Sequence, residues 1–151
     1  MSGQTNRHGY AYWSIVAFLL VWGIAYAGLS FFSFVLATPQ DWARMVEKGR
    51  ILPEYVDYIA RIPNWVIAIT AIAAITRLFG AIALVLRKTW AVSIYTISLA
   101  CVVVIMFRGF VLADVASVIR TSQVWVEALF MGLSIFAVWF SLLCKSKGLL
   151  S

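Results

Sequence analysis

Between Val66 and Arg87 the sequence reads VIAITAIAAITRLFGAIALVLR, an apolar run long enough to cross a bilayer, with Arg77 near its middle. About 20 apolar residues cross the roughly 30 Å of membrane hydrocarbon, and an arginine at the centre of such a helix costs about 2.5–3.5 kcal/mol. The fold has to surround that cation with something other than lipid. The residues sharing its helical face, Thr70, Ala73, Ala74, Gly80 and Ala81, are small enough to let a neighbouring helix approach closely. Arg77 is therefore expected to face protein.

Three further apolar runs accompany this one. The four expected spans cover residues 11–37, 66–87, 90–112 and 124–144. They account for a chain that is 64% hydrophobic and only 12% charged, too apolar for an ordinary soluble domain. The expected fold is all-α: an integral-membrane four-helix bundle forming a single transmembrane domain over 1–151, with a short amphipathic helical loop at 38–64. The segment FVLATPQ weakly imitates a signal cleavage site, but the run before it is too long and aromatic for a signal peptide, so the first span is read as retained.

Met1 to Tyr10 reads as a short polar tail with Arg7 and the only histidine, His8. One histidine leaves a histidine-rich metal cluster or a bis-histidine haem without ligands. In the first span Gly23, Ala27 and Ser30 recur at helical spacing and suit close packing. Trp22 and Tyr26, one turn apart, share a face and either fill the core or line a cavity.

The loop at 38–64 carries its own signals. Thr38 before Pro39 is an N-cap followed by a first-turn proline, and Gly49 after Lys48 is a stop. A second short helix is expected from Pro53, ended by Pro63, with Val56, Ile59 and Ala60 against Glu54, Asp57 and Arg61 at amphipathic spacing. Asp41, Glu47, Glu54 and Asp57 balance Arg44, Lys48, Arg50 and Arg61, so the loop is a solvated cap or a lid.

A net charge of +6 suggests nucleic acid in a soluble chain, but here the basic residues lie at span ends. Arg7, Arg87, Lys88, Lys145 and Lys147 are unaccompanied by acids, and Arg87-Lys88 sit in a tight turn that is hard to translocate. Both termini are expected in the cytoplasm. At about 1.5 Å per residue, Arg77, Ser98 and Ser134 then fall at similar depth, with Arg108 and Glu127 together about 10 Å nearer the opposite face. Arg108 and Glu127 read as an ion pair. Glu127, Ser134 and Ser141 recur at a heptad spacing, and Arg77 leans toward Glu127. The candidate site is thus an intramembrane polar seam of Arg77, Arg108, Glu127, Ser134 and Ser98. It serves as a buried network, a lipid or subunit contact, or a solute path.

No phosphate-binding glycine loop, zinc spacing or serine–histidine–acid set is present, and Cys101 and Cys144 lie at different depths, unsuited to a disulfide. The chain is expected to be non-catalytic, with no catalytic residue, cofactor or metal.

From Pro53 to Met106 the chain resembles a group of small four-span bacterial inner-membrane proteins often labelled "sugar transporter". The resemblance lies in PEYVDYIARIPNWVIAITAIA and in ALVLRKTWAVSIYTISLACVVVIM, where a Leu-Arg-Lys-x-Trp-Ala turn opens the third span. It implies a bacterial inner membrane and a sugar-like solute, and it names no binding residue. Thr76-Arg77 stands where such proteins have small residues. Two functions follow as expectations: an accessory subunit or oligomeric component of a membrane complex, docked through Arg77 and small-residue faces, or a transporter of a small polar solute working as a homo-oligomer. Neither involves nucleic acid.

Overall fold

A computed structural model describes the backbone from Gly3 to Ser151 and the side chains from Gly9 onward; Arg7 and His8 lie outside the described side chains. Six helices and no strands are present among the described residues. The chain is an all-α bundle of four long apolar helices, the architecture of a multi-pass membrane protein.

Helix α1 (Gly3–Phe31) starts well before the expected boundary at Ala11. The segment from Gly3 to Tyr10 contains no proline, so the helix continues past its apolar portion instead of giving way to a tail. At its other end it widens into a π-helical turn, Phe32–Leu36, where the Ala37 N–H reaches back to the Phe32 carbonyl at 2.8 Å. Helix α4 (Asn64–Val85) carries Arg77, and α5 (Ala91–Phe107) ends in a second π-helical turn, Arg108–Leu112. Helix α6 (Thr121–Ser146) returns to the end where α1 began.

The connecting helices form as their caps dictate. Helix α2 (Pro39–Glu47) is closed by a capping box in which the Thr38 hydroxyl accepts from the Asp41 N–H at 3.3 Å and the Asp41 carboxylate accepts from the Thr38 N–H at 3.0 Å. The Thr38 hydroxyl also donates to the Asp41 carboxylate at 2.6 Å, and this hydrogen bond, with the one from the Thr38 N–H, holds the exposed Asp41 carboxyl below its usual range. Gly49, at φ +61°, ends the helix by letting the Arg50 N–H reach the Met45 carbonyl. Helix α3 (Pro53–Ala60) starts at its proline as expected.

Helix α4 sits centrally, packed against α1 and α5, with α5 in turn against α6. Every small residue expected on the Arg77 face is buried, as is Arg77 itself at 3% exposure. Two glycines set the closest approaches. A Cβ at Gly23 would lie 3.6 Å from the Leu78 Cα, and one at Gly80 only 3.1 Å from the Tyr95 ring. Helices α1 and α6 meet through aromatic side chains, Trp22 and Tyr26 on Phe130 and Tyr12 near Phe140.

The half of the bundle nearest the C-terminus is the densely packed one. Val16, Leu19, Ala81, Leu84, Tyr95, Ala137, Phe140 and Cys144 form its core, and the Tyr12 hydroxyl donates to the Leu84 carbonyl at 2.6 Å. The last residues clasp this end: Leu150 is buried in the core, and the Ser151 N–H donates to the Arg87 carbonyl at 2.7 Å while its own carbonyl accepts from Thr89. Arg87 takes a left-handed φ of +54° at the end of α4, where the Lys88 N–H closes onto the Ala83 carbonyl.

Candidate functional site

The opposite, lid end of the bundle encloses a cavity of about 380 Å³. All four long helices and α3 contribute to it. Helix α1 supplies Tyr26 and Ser30 and its π turn Ser33 and Phe34; α3 supplies Tyr55, Tyr58 and Ile59. Val66 and Thr70 come from α4, Met106 and the π-turn residues Gly109 and Phe110 from the α5 side, and Gln123, Glu127 and Phe130 from α6. Both π turns contribute to the cavity wall. Each adds a residue to the turn and widens the helix where close packing would otherwise continue, a device often found at ligand sites.

Helix α3 lies over this cavity, the position that the lid reading of the loop requires. Its inward face is the tyrosine pair Tyr55 and Tyr58, one turn apart and stacked at 6.1 Å between ring centres. Burial, and after it the Glu127 charge, pushes the Tyr55 phenol up to about 12. Helix α2 has no buried residue and no part in the cavity, so for it the solvated-cap reading holds.

The five seam residues are distributed over three places. Arg77 and Ser134 come together: Nη2 of Arg77 donates to the Ser134 hydroxyl at 2.5 Å, and that hydroxyl donates onward to the Phe130 carbonyl. The guanidinium also lies over the Tyr26 ring, 4.1 Å from its centre, while Nη1 has no hydrogen-bond partner. A charged hydrogen bond of about 1.5–3 kcal/mol and a desolvated cation–π contact of about 2 kcal/mol are together as large as the cost of a mid-membrane arginine. Ser98 lies close by in depth and donates to the Ala73 carbonyl, fastening α5 to α4 one turn from Arg77.

Arg108 and Glu127 do not form the expected ion pair. Arg108 donates to the Tyr58 hydroxyl at 2.8 Å and lies 5.4 Å from that ring's centre, outside the cavity, whereas Glu127 faces the cavity. Nor does Arg77 reach Glu127. Ser134, two turns further along α6, is nearer its depth and takes the hydrogen bond. Cys101 and Cys144 are both free thiols.

Sequence reasoning passed over Tyr55 and Tyr58 because it read α3 as an amphipathic helix on the membrane surface, with Val56, Ile59 and Ala60 opposed to Glu54, Asp57 and Arg61. The usable signal was the pair of tyrosines three residues apart, since i and i+3 share a face. Gln123 and Phe130 gave no such signal. A comparison with known protein families, curated proteins and solved structures finds no match.

Proposed function

We propose that this chain is a non-catalytic membrane protein that takes a small solute into the cavity beneath α3. The observation that carries the reading is the cavity itself: about 380 Å³, lined on one side by α3, mostly apolar, with polar groups converging on it. That is the size and lining of a small-molecule site. Transport of the solute fits the same geometry, with the lid helix and π turns as the parts that move, and a homo-oligomer would supply the width that four helices lack. The lid-side loops carry as many basic residues, Arg44, Lys48, Arg50, Arg61 and Arg120, but Arg87 and Lys88 in the tight turn after α4 are hard to translocate, which favours cytoplasmic termini in a bacterial inner membrane with the cavity opening to the outer side.

The test is solute binding to the protein in nanodiscs, read by native mass, beside the cavity-filling variant Ser30→Phe. Saturable binding of small solutes that the variant loses at unchanged melting temperature supports the reading. Absence of saturable binding by any solute in wild type contradicts it.

The accessory-subunit reading keeps one supporting observation. Gly28 on α1 and Gly132 on α6 are exposed with open space where a Cβ would stand, so another helix has two places for close approach. Arg77 cannot be the docking contact of that reading, because it is already enclosed within one copy. Replacing both glycines by isoleucine would dissociate such a complex and shift the native mass; an unchanged mass removes the reading.

A further inference from the structure

The cavity's lining is unbalanced in charge. Glu127 is its only charged side chain among the described residues. Arg77 and Arg108 are both occupied outside it, Arg77 with Ser134 and the Tyr26 ring, Arg108 with Tyr58. The same cavity is lined by six aromatic rings: Tyr26, Phe34, Tyr55, Tyr58, Phe110 and Phe130. Two of them, Tyr26 and Tyr58, already carry a cation; Tyr55 stacks on Tyr58 and Phe130 on Trp22 and Tyr26, and no cation lies over Phe34, Tyr55, Phe110 or Phe130 among the described residues.

This combination discriminates among ligand classes. An anion would meet the carboxylate with no cation in the lining to balance it. A sugar would find hydrogen-bonding groups in Ser30, Ser33, Tyr55 and Gln123, the Thr70 hydroxyl being spent on the Val66 carbonyl, but its neutral hydroxyls would leave the Glu127 charge unopposed. An inorganic divalent cation needs several oxygen ligands, and no group of three acidic, histidine or cysteine side chains occurs among the described residues. An organic cation meets both features: the carboxylate opposes its charge, and aromatic faces attract an ammonium whose substituents are apolar.

Resting on the reading of this cavity as a solute site, we infer that its occupant is a small organic cation, an alkyl- or arylammonium, held by Glu127 within the aromatic wall. Glu127 contributes the counter-charge, and Tyr55 on the lid closes over the apolar substituents.

The experiment compares two probes of nearly identical shape, phenyltrimethylammonium and neutral tert-butylbenzene, with methyl glucoside as the sugar probe. Binding to the intact protein in nanodiscs is measured for wild type and for Glu127→Gln. The cation is expected to bind wild type about tenfold or more tightly than its neutral isostere, in keeping with a desolvated cation–π contact plus a counter-charge. Glu127→Gln is expected to weaken cation binding and so reduce that preference to the part the aromatic wall supplies, while leaving tert-butylbenzene binding unchanged. Equal binding of the two isosteres by wild type, or tighter binding of the glucoside, overturns the cation assignment while keeping a solute site. Binding of none of the three overturns both. The wild-type comparison needs no variant, so a Glu127→Gln protein that fails to fold does not blunt the test.

Discussion

The two ends of this bundle are built from the same four helices and pack in opposite ways. At the terminal end, alanines on α4 and α5 and the large residues Leu19, Leu84, Tyr95 and Phe140 interdigitate, and the last residues of the chain are tied to the α4–α5 turn. At the lid end, two helices widen into π turns, the short helices α2 and α3 bury no residue fully, and a cavity remains. In lipid, helices gain nothing from the hydrophobic effect by meeting one another, so association rests on packing and hydrogen bonds. The terminal half supplies most of that packing. The lid half is thereby free to leave space for a solute, with the Arg77–Ser134 contact marking the boundary between the two.

Leu84→Ala tests the contrast most severely. Leu84 has no exposed surface, and its truncation is expected to cost about 2–5 kcal/mol in a reversible denaturation measurement. Ile59→Ala on the cavity face of α3 is expected to cost less than about 1 kcal/mol in the same assay, since its side chain is only half-buried. Equal costs at the two positions would erase the distinction between the halves.

At the boundary, Ser134→Ala removes the hydroxyl that accepts from Arg77. A loss of about 1–3 kcal/mol is expected, because it deprives a buried guanidinium of its hydrogen-bond partner. Ser141→Ala, one heptad on, is expected to be nearly neutral: that hydroxyl serves only a carbonyl in its own helix. Similar losses for both serines would mean that Arg77 is held by something other than Ser134.

The smallest effects lie in α2. Thr38→Ala is expected to destabilise that helix by about 1 kcal/mol, seen as faster amide exchange confined to Pro39–Glu47, with no change in the bundle. The same helix carries a pH signature. Because the Asp41 carboxyl is held below its unfolded value, its contribution is present above the ordinary carboxylate range and is lost as pH falls through the lowered folded value. Amide protection in α2 should fall on acidification in wild type and show no such dependence in Asp41→Asn.

Features that one helix or one turn decides were readable from the residues. Thr38-Pro39, Gly49 and Pro53 placed the short helices, and the small residues around Arg77 identified the buried face of α4. Features that depend on how two helices are rotated against each other were not. Arg77 selects Ser134 over Glu127, and Arg108 selects Tyr58, according to azimuth and crossing angle, which no single periodicity contains. The π turns escaped for a related reason, since FSFVL and RGFVL are ordinary helix-compatible sequences whose extra residue is accommodated only by the surrounding fold. The burial of Leu150 likewise follows from the clasp on Arg87 and has no local pattern behind it.

The central claim, a closed terminal half beneath an open solute-holding half, is tested most directly by paired thiol reactivity in one molecule. In a Cys101→Ala background, Ser30→Cys places a thiol in the cavity lining while native Cys144 remains buried in the terminal core. A small water-soluble thiol reagent should modify the residue 30 thiol far faster than Cys144, and saturating phenyltrimethylammonium should slow the first reaction alone. Equal protection of the two thiols would show the lid end to be as closed as the other, and the account would fail.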